Sequence, residues 1–497
     1  MLASQATNGP VRQSAGTRGP SLYQLHLQDR WRTVVGVGIA VQGAIMVSDN
    51  GRIRPYAENP FYWQYQGKPV MLLGGSREDN LFQIPGLDEH LDLLARVGGN
   101  YIRNTMDDCD EGDVKAFHFD TNASKYNLDL WNEEYWKRLD HLLEATKTRN
   151  MIVQVEVWPF HDVYHPYWSG SPWNPANNIN YTATETILKS SYGQAHTHRR
   201  VHDFWDSVPA LRHDRVLLRY QQRFVDKLLN HTLAYDHVLY TMTNEIHAGY
   251  SPEWGWYWSR YISDAASARG KTVETSEMYW QTDLTDAQHL ASLHRPDVYS
   301  FFEASQNSVQ NGELHWSRLQ HVRKVMLERK QPRPINQTKI YGRSGDQLTW
   351  TGSTEQAIER FWRGVLGGAA SVRFHRDECG LGLLPEARAS IRAMRRFTDA
   401  IPPWQVSPRL DLLPNRADNG AYLMADPGRL YGLYFTDGGS VALDLSSATG
   451  LFALRWISLS TGEWYGERTP LTGGSVVTIT APGRGGWAAA IVPDAGE

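Results

Sequence analysis

The chain has 497 residues, of which 41% are hydrophobic and 21% charged. That length allows about three domains, or one large barrel with an appendage, and the composition excludes disorder for the bulk of the chain. A net charge of -4, from 50 Lys+Arg against 54 Asp+Glu, supplies no basic stripe and so excludes nucleic acid as the main partner.

The first fifty residues differ from the rest. A Ser-, Thr-, Gly- and Gln-rich stretch over 3–20 leads to Arg30 and Arg32, and then to an apolar run over 33–48. The run is short for a membrane span and fits the h-region of a signal peptide. Residues 1–50 are therefore expected to be a leader, with the mature protein secreted, periplasmic or held at the cell envelope. No other stretch is apolar enough to span a membrane.

From residue 51 the pattern alternates between β and α. Buried strands are expected over 69–75, 100–106, 151–158, 238–245, 272–277, 298–303, 334–340 and 370–375. Helical periodicity occupies 87–97, 132–148, 213–230, 252–268, 313–328 and 354–367. A polar, aromatic insertion covers roughly 159–208. Eight strands over about 330 residues suit an α/β fold, a (β/α)8 TIM barrel with loop insertions. A doubly wound dinucleotide fold would need Gly-x-Gly-x-x-Gly after the first strand, and none follows. Past Pro402-Pro403 the chain turns to short alternating runs, with Asp437-Gly-Gly439 and Thr472-Gly-Gly474 as turns. That spacing predicts a C-terminal antiparallel β-sandwich. The expected domains are the leader 1–50, a catalytic barrel 51–403 and the sandwich 404–497.

Barrel chemistry sits at the C-terminal ends of the strands. Those ends carry Arg103 and Asn104, Glu156 and Trp158, Asn244 and Glu245, Glu277 and Tyr279, Glu303, Lys339 and Tyr341, and Arg373 and His375. Several carboxylates facing one rim cost energy unless they are used. The 19 Trp and 24 Tyr outnumber 14 Phe. Trp and Tyr join an apolar face to a polar handle, as sugar stacking requires. Trp158, Tyr164, Tyr167, Trp168 and Trp173, crowded in the third loop, are expected to form a stacking platform, with His161 beside them. Cys109 and Cys379 make neither a disulfide framework nor a zinc site, and are read as buried free thiols.

Asn244-Glu245 closing the fourth strand of an eightfold barrel resembles the acid/base signature of the clan A glycoside hydrolases, and Arg103 resembles the arginine beside their carboxylates. The lead-in Arg54-Pro-Tyr-Ala-Glu-Asn-Pro-Phe-Tyr-Trp63 is similar to that of cellulase-like and apiosidase-like barrels. Gly438-Gly-Ser-Val-Ala-Leu-Asp-Leu445 and Thr461-Gly-Glu-Trp464 resemble the sandwich labelled collagen-binding in a collagenase. The resemblance implies a glycoside hydrolase acting on an oligo- or polysaccharide, with no cofactor and no metal. It implies Glu245 as acid/base, and Asn244 on the sugar hydroxyl beside the reacting carbon. Arg103, Asn104, Trp158, His161, Trp168, Tyr279, Lys339 and His375 complete the expected substrate site.

This chain departs from that family in its seventh strand, which holds no carboxylate: Thr338 and Lys339 stand where the nucleophilic Glu is expected. Three readings stay open. Another carboxylate serves, with Glu303 first and Glu378 and Glu277 in reserve; or the enzyme inverts; or the barrel has lost hydrolysis and is a carbohydrate-binding pseudoenzyme. A polysaccharide lyase using Lys339, Arg373 and His375 is a further alternative. The sequence leaves the oligomeric state open.

Overall fold

The computed structural model describes residues 51–164, 166–192, 202–247, 249–342 and 349–494. The expected leader, and with it the signal-peptide reading, lies outside the described residues. Among the described residues no helix is long and apolar enough to cross a membrane.

Eight parallel strands make the central sheet: β1 Leu72–Gly75, β2 Tyr101–Thr105, β3 Ile152–Pro159, β4 Val238–Asn244, β5 Thr275–Ser276, β6 Phe302–Glu303, β7 Ile335–Ile340 and β8 Ser371–Phe374. Their order is β5-β4-β3-β2-β1-β8-β7-β6. The two ends meet where the amides of Ser300 and Phe301, just before β6, donate to the Thr275 carbonyl of β5 at 3.0 and 3.4 Å. The sheet is thus a closed barrel, which removes its edges. Where β1 meets β2, a Cβ on Gly74 would collide with the Tyr101 carbonyl, so glycine is what lets the two backbones approach.

Among the described residues eight α-helices surround the barrel: α1 Leu87–Arg96, α2 Glu133–Thr148, α3 Arg215–Thr232, α4 Glu253–Ser267, α5 Ala287–Leu293, α6 Gly312–Glu328, α7 Thr354–Leu366 and α8 Pro385–Ala400. Leu217, Leu218, Gln221, Phe224, Val225, Leu228 and Leu229 of α3 are buried at helical spacing, the face that covers the sheet. Starts are capped locally: Asp214 Oδ1 accepts from the amides of Val216 and Leu217, and Ser353 with Gln356 forms a capping box on α7. The sequence pattern omits α5 and α8. Below the barrel a small antiparallel sheet (Arg54–Pro55, Trp63–Tyr65, Lys68–Val70) sends Trp63 into the floor, where its indole N–H donates to Asn336 Oδ1 of β7 at 2.9 Å.

The C-terminal strands are β9 Ser407–Pro408, β10 Ala421–Asp426, β11 Leu430–Phe435, β12 Ser440–Asp444, β13 Leu451–Ser458, β14 Glu463–Thr472, β15 Val476–Thr480 and β16 Trp487–Pro493. Six of them pair antiparallel in the order β9-β10-β11-β16-β13-β14, and β12 pairs with β15. One core, including Leu433, Leu443, Leu454, Ile479 and Ile491, lies between these sheets. The opposite face of the larger sheet joins the barrel core. Trp362 of α7 stacks on Tyr434, and Phe397 of α8 packs over Gly432. The described residues accordingly form one compact unit.

Candidate active site

A cavity of about 920 Å³ opens at the C-terminal ends of the strands, the face where barrel sites occur. Glu245 sits in it directly after β4, with φ at 62°, a left-handed conformation that a glutamate adopts at a cost. Its Oε1 accepts from Gln306 Nε2 at 2.7 Å, from the Tyr341 hydroxyl at 3.0 Å and from Lys339 Nζ. The same ammonium donates to Asn244 Oδ1 at 2.7 Å. Burial opposes charge on Glu245, but Lys339, His161 and Arg103 outweigh it and hold the carboxyl down at about 2. Burial, with Arg103 nearby, pulls the Lys339 amine below its ordinary value, against the pull of Glu245.

Lys339 reaches this point through a local irregularity. Strict alternation on β7 would send Lys339 to the side opposite Asn336 and Thr338. The register of β7 against β8 shifts between Gln337 and Ile340. A bulge of that kind re-aims a side chain, and here it turns Lys339 into the cavity. Gln306 arrives on a single 3-10 turn, Ser305–Val309, directly after β6.

A second anion, Asp79, lies in the loop after β1 and lines the same cavity. It pairs with Arg103 and contacts His375 Nδ1 at 3.4 Å. Burial opposes its charge, and Arg103 leads the groups that hold the carboxyl well below the usual range. Burial also drives His375 well below its ordinary value, so its imidazole is neutral and Arg103 carries the pairing. Arg103 is fully buried, and its Nε and Nη2 reach both oxygens of Glu156 at 2.6 and 2.5 Å. It works from beneath the floor.

Of the residues anticipated from the sequence, His161, Asn244, Glu245, Lys339 and His375 line the cavity. Arg103, Asn104, Trp158, Trp168, Tyr279 and Glu303 do not. Asn104 is spent locally, its Oδ1 accepting from the Phe82 amide at 3.0 Å. Tyr279 is buried at 2% exposure beside Ile246, to which it makes a parallel bridge.

Glu303 requires a correction. It belongs to the polar filling of the barrel interior: its Oε2 accepts from Gln154 Nε2 at 2.9 Å, and Oε1 from the amide of Ser305 at 3.1 Å and from its hydroxyl. Gln154 Oε1 in turn accepts from Tyr101 and Asn336. Burial lifts the Glu303 carboxyl to about 7, against the hydrogen bonds from Ser305 and Gln154. Lys339 is engaged by Glu245. Of the reserves, Glu277 is buried and accepts from the amide of Thr243 at 2.9 Å. Glu378 lines the cavity, paired with Arg376 at 2.8 Å.

The aromatic platform also moves. Trp158 is 2% exposed and packed among Trp173, Phe204, Phe224, Trp254 and Trp258. Trp168 is 5% exposed, its indole N–H donating to the Lys189 carbonyl at 3.0 Å. The third loop folds back onto the main core, so its Trp residues pack inward. The aromatic walls of the cavity come from Trp280, Tyr341 and Trp350, with Tyr167 from the third loop. Trp350 is 53% exposed, and its ring lies edge-on to Tyr341 with centroids 5.0 Å apart. Gln306, Trp350 and Asp79 were missed, because a loop residue's direction is invisible to periodicity.

Both cysteines are free. Cys109 and Cys379 both line the cavity. Among the described residues one group could hold a metal: Asp107, Cys109 and Asp162, whose ligand atoms lie within 4.8 Å of one another.

Fold and cavity together define a closed (β/α)8 barrel, with a charged, aromatic-walled pocket at its C-terminal face and a β-sandwich packed on its helices. That architecture is shared by a glycoside hydrolase family 5 structure from Bacteroides vulgatus, 11% identical, covering 90% of this chain and 94% of that one with a TM-score of 0.62. A second structure, described as a glycoside hydrolase, is 11% identical over 90% of this chain and 98% of its own, with a TM-score of 0.61. At that identity the likeness is one of fold. No protein-family model matches the sequence, and no curated protein matches it.

Proposed function

We propose that the protein is a glycoside hydrolase that takes a short oligosaccharide, or the end of a longer chain, into the cavity of about 920 Å³. The observation that carries this reading is Glu245: a carboxylate in a strained conformation at the end of β4, lining a cavity walled by Trp280, Tyr341 and Trp350. Volumes of this order suit a small ligand, and the aromatic faces suit the C–H faces of a sugar ring. The barrel architecture shared with glycoside hydrolases supports the same conclusion.

The electrostatics revise the role of Glu245. A carboxyl held at about 2 is an anion in the resting site. It serves as nucleophile or as base toward water, and a separate acid protonates the leaving oxygen. Glu378, on the loop after β8, is the partner to test as that acid, since Asp79 is itself held as an anion by Arg103. Glu245→Gln should lower turnover on a glycan panel by about 10²–10⁴-fold, and the anomer first released by the wild type, read by NMR, separates retention from inversion. Full activity in Glu245→Gln would overturn the proposal.

One observation favours the second reading, a carbohydrate-binding pseudoenzyme: the position on β7 holds Lys339, and its ammonium is spent on Glu245. Under that reading the wild type binds a glycan by calorimetry and releases no product on prolonged incubation.

A further inference from the structure

The loops after β2 and β3 meet on one wall of the cavity. Asp107 and Cys109 come from the first loop, and Asp162 from the single 3-10 turn, His161–Val163, of the second. One carboxylate oxygen from each aspartate and the Cys109 Sγ lie within 4.8 Å of one another. Asp107 Oδ1 accepts from the Cys109 amide at 2.9 Å, and the side chains of Cys109, Asp107 and Asp162 also hydrogen-bond to one another. Lys115 is paired with Asp108 at 2.8 Å and only partly offsets the negative charge of the trio.

Asp162 adds an independent observation. It is 9% exposed, and its Oδ1 is buried without a hydrogen-bond partner. A buried carboxylate oxygen with nothing donating to it is costly, and native proteins rarely keep one unless an ion or water completes it. Here a divalent cation among the three ligand atoms answers both the orphaned oxygen and the accumulation of like charge.

We propose that Asp107, Cys109 and Asp162 form a binding site for a divalent transition-metal ion of the zinc class. Two carboxylates and a thiolate are a borderline-soft donor set, which selects zinc or cadmium over calcium and magnesium, whose ligands are all oxygen. Asp107 and Cys109 also line the cavity. The ion therefore keeps a coordination position facing the cavity, where a water or an oxygen of the cavity's occupant completes it. The site stands apart from the Glu245–Lys339 pair and does not depend on the hydrolase reading.

The test uses the full-length chain, stripped with a chelator and titrated with cadmium, whose bond to a thiolate gives an ultraviolet charge-transfer absorption. The expected result is a band that saturates at one equivalent, disappears in Cys109→Ser and persists in Cys379→Ser. Asp162→Asn, which keeps the shape of the side chain, should weaken cadmium binding by about tenfold or more. Circular dichroism reports whether each variant folds. Should Cys109→Ser fail to fold, Asp162→Asn and Cys379→Ser still decide. Absence of the band in the wild type overturns the proposal, as does a band lost in Cys379→Ser or binding unchanged in Asp162→Asn.

Discussion

Glu245 and Glu303 are both buried glutamates on the same barrel, yet their surroundings drive them in opposite directions. At the rim, Glu245 meets the ammonium of Lys339 and is held at about 2. In the interior, Glu303 meets the amide of Gln154 and the hydroxyl of Ser305, and burial lifts it to about 7. A full charge close by overcomes desolvation, whereas neutral donors only soften it. The rim therefore keeps an anion facing the cavity, and the interior uses the same side chain as part of its packing. The tryptophans divide in the same way: Trp350 stands at the rim, while Trp158 and Trp168 are sealed inside.

The sharpest way to break this comparison is to neutralise both carboxyls in turn. Glu245→Gln should lower turnover by about 10²–10⁴-fold, the usual range for a positioned acid or base. The fold should survive, which circular dichroism checks. If Glu303→Gln gives the larger loss, rim and interior have been assigned the wrong way round.

Removing the cation tests the cause of the difference. Lys339→Met leaves Glu245 buried without its partner, a change expected to cost about 3–5 kcal/mol at pH 7. The pH dependence has a definite sign. The folded value of Glu245 lies below its ordinary 4.5, so its contribution is present above pH 4.5 and is lost as pH falls through about 2. Denaturant titrations of wild type and Lys339→Met should therefore diverge most at neutral pH and converge toward pH 2. A gap independent of pH would show that the lysine acts by packing alone.

Much of the frame was legible because it rests on periodicity. Eight apolar runs and the helices between them announce a barrel, and Asn244-Glu245 at the fourth strand marks its working end. What failed was direction. Alternation along β7 gives no sign that a bulge turns Lys339 toward Glu245. The two-residue strand Phe302–Glu303 is too short to show which end of the barrel its glutamate faces. The rule that loops expose their residues misplaced Trp168, because an insertion of some fifty residues folds its apolar side chains into the barrel's core. The run Ser76-Arg-Glu-Asp79 carries no periodic signal, and only the folded chain brings Asp79 to Arg103.

A subtler contrast follows from the interior carboxyl. The folded value of Glu303 is raised from 4.5 to about 7, so the folded state holds a proton that the unfolded state has lost between those values. Stability from this group is present below pH 4.5 and declines as pH rises to about 7, by about 3 kcal/mol in all. Glu303→Gln lacks that decline. Thermal melts should show the variant gaining on the wild type between pH 5 and pH 8, with turnover close to wild type. Parallel pH profiles would mean that Glu303 is already ionised in the fold.

The smallest expected effect separates the two kinds of tryptophan. Trp350 is 53% exposed on the cavity wall and edge-on to Tyr341, whereas Trp168 is 5% exposed and hydrogen-bonded to the Lys189 carbonyl. Truncating an exposed ring creates no cavity in the core, so Trp350→Ala should leave the melting temperature nearly unchanged. It removes a face that a sugar ring would cover, worth about 1 kcal/mol by the scale of aromatic contacts. That is about a fivefold rise in KM with little change in kcat. Trp168→Ala should do the opposite, costing about 3–5 kcal/mol of stability while the folded fraction keeps its KM. If Trp350→Ala binds as tightly as wild type, the ring contributes only to the surface, and the sugar-stacking wall reduces to Trp280 and Tyr341.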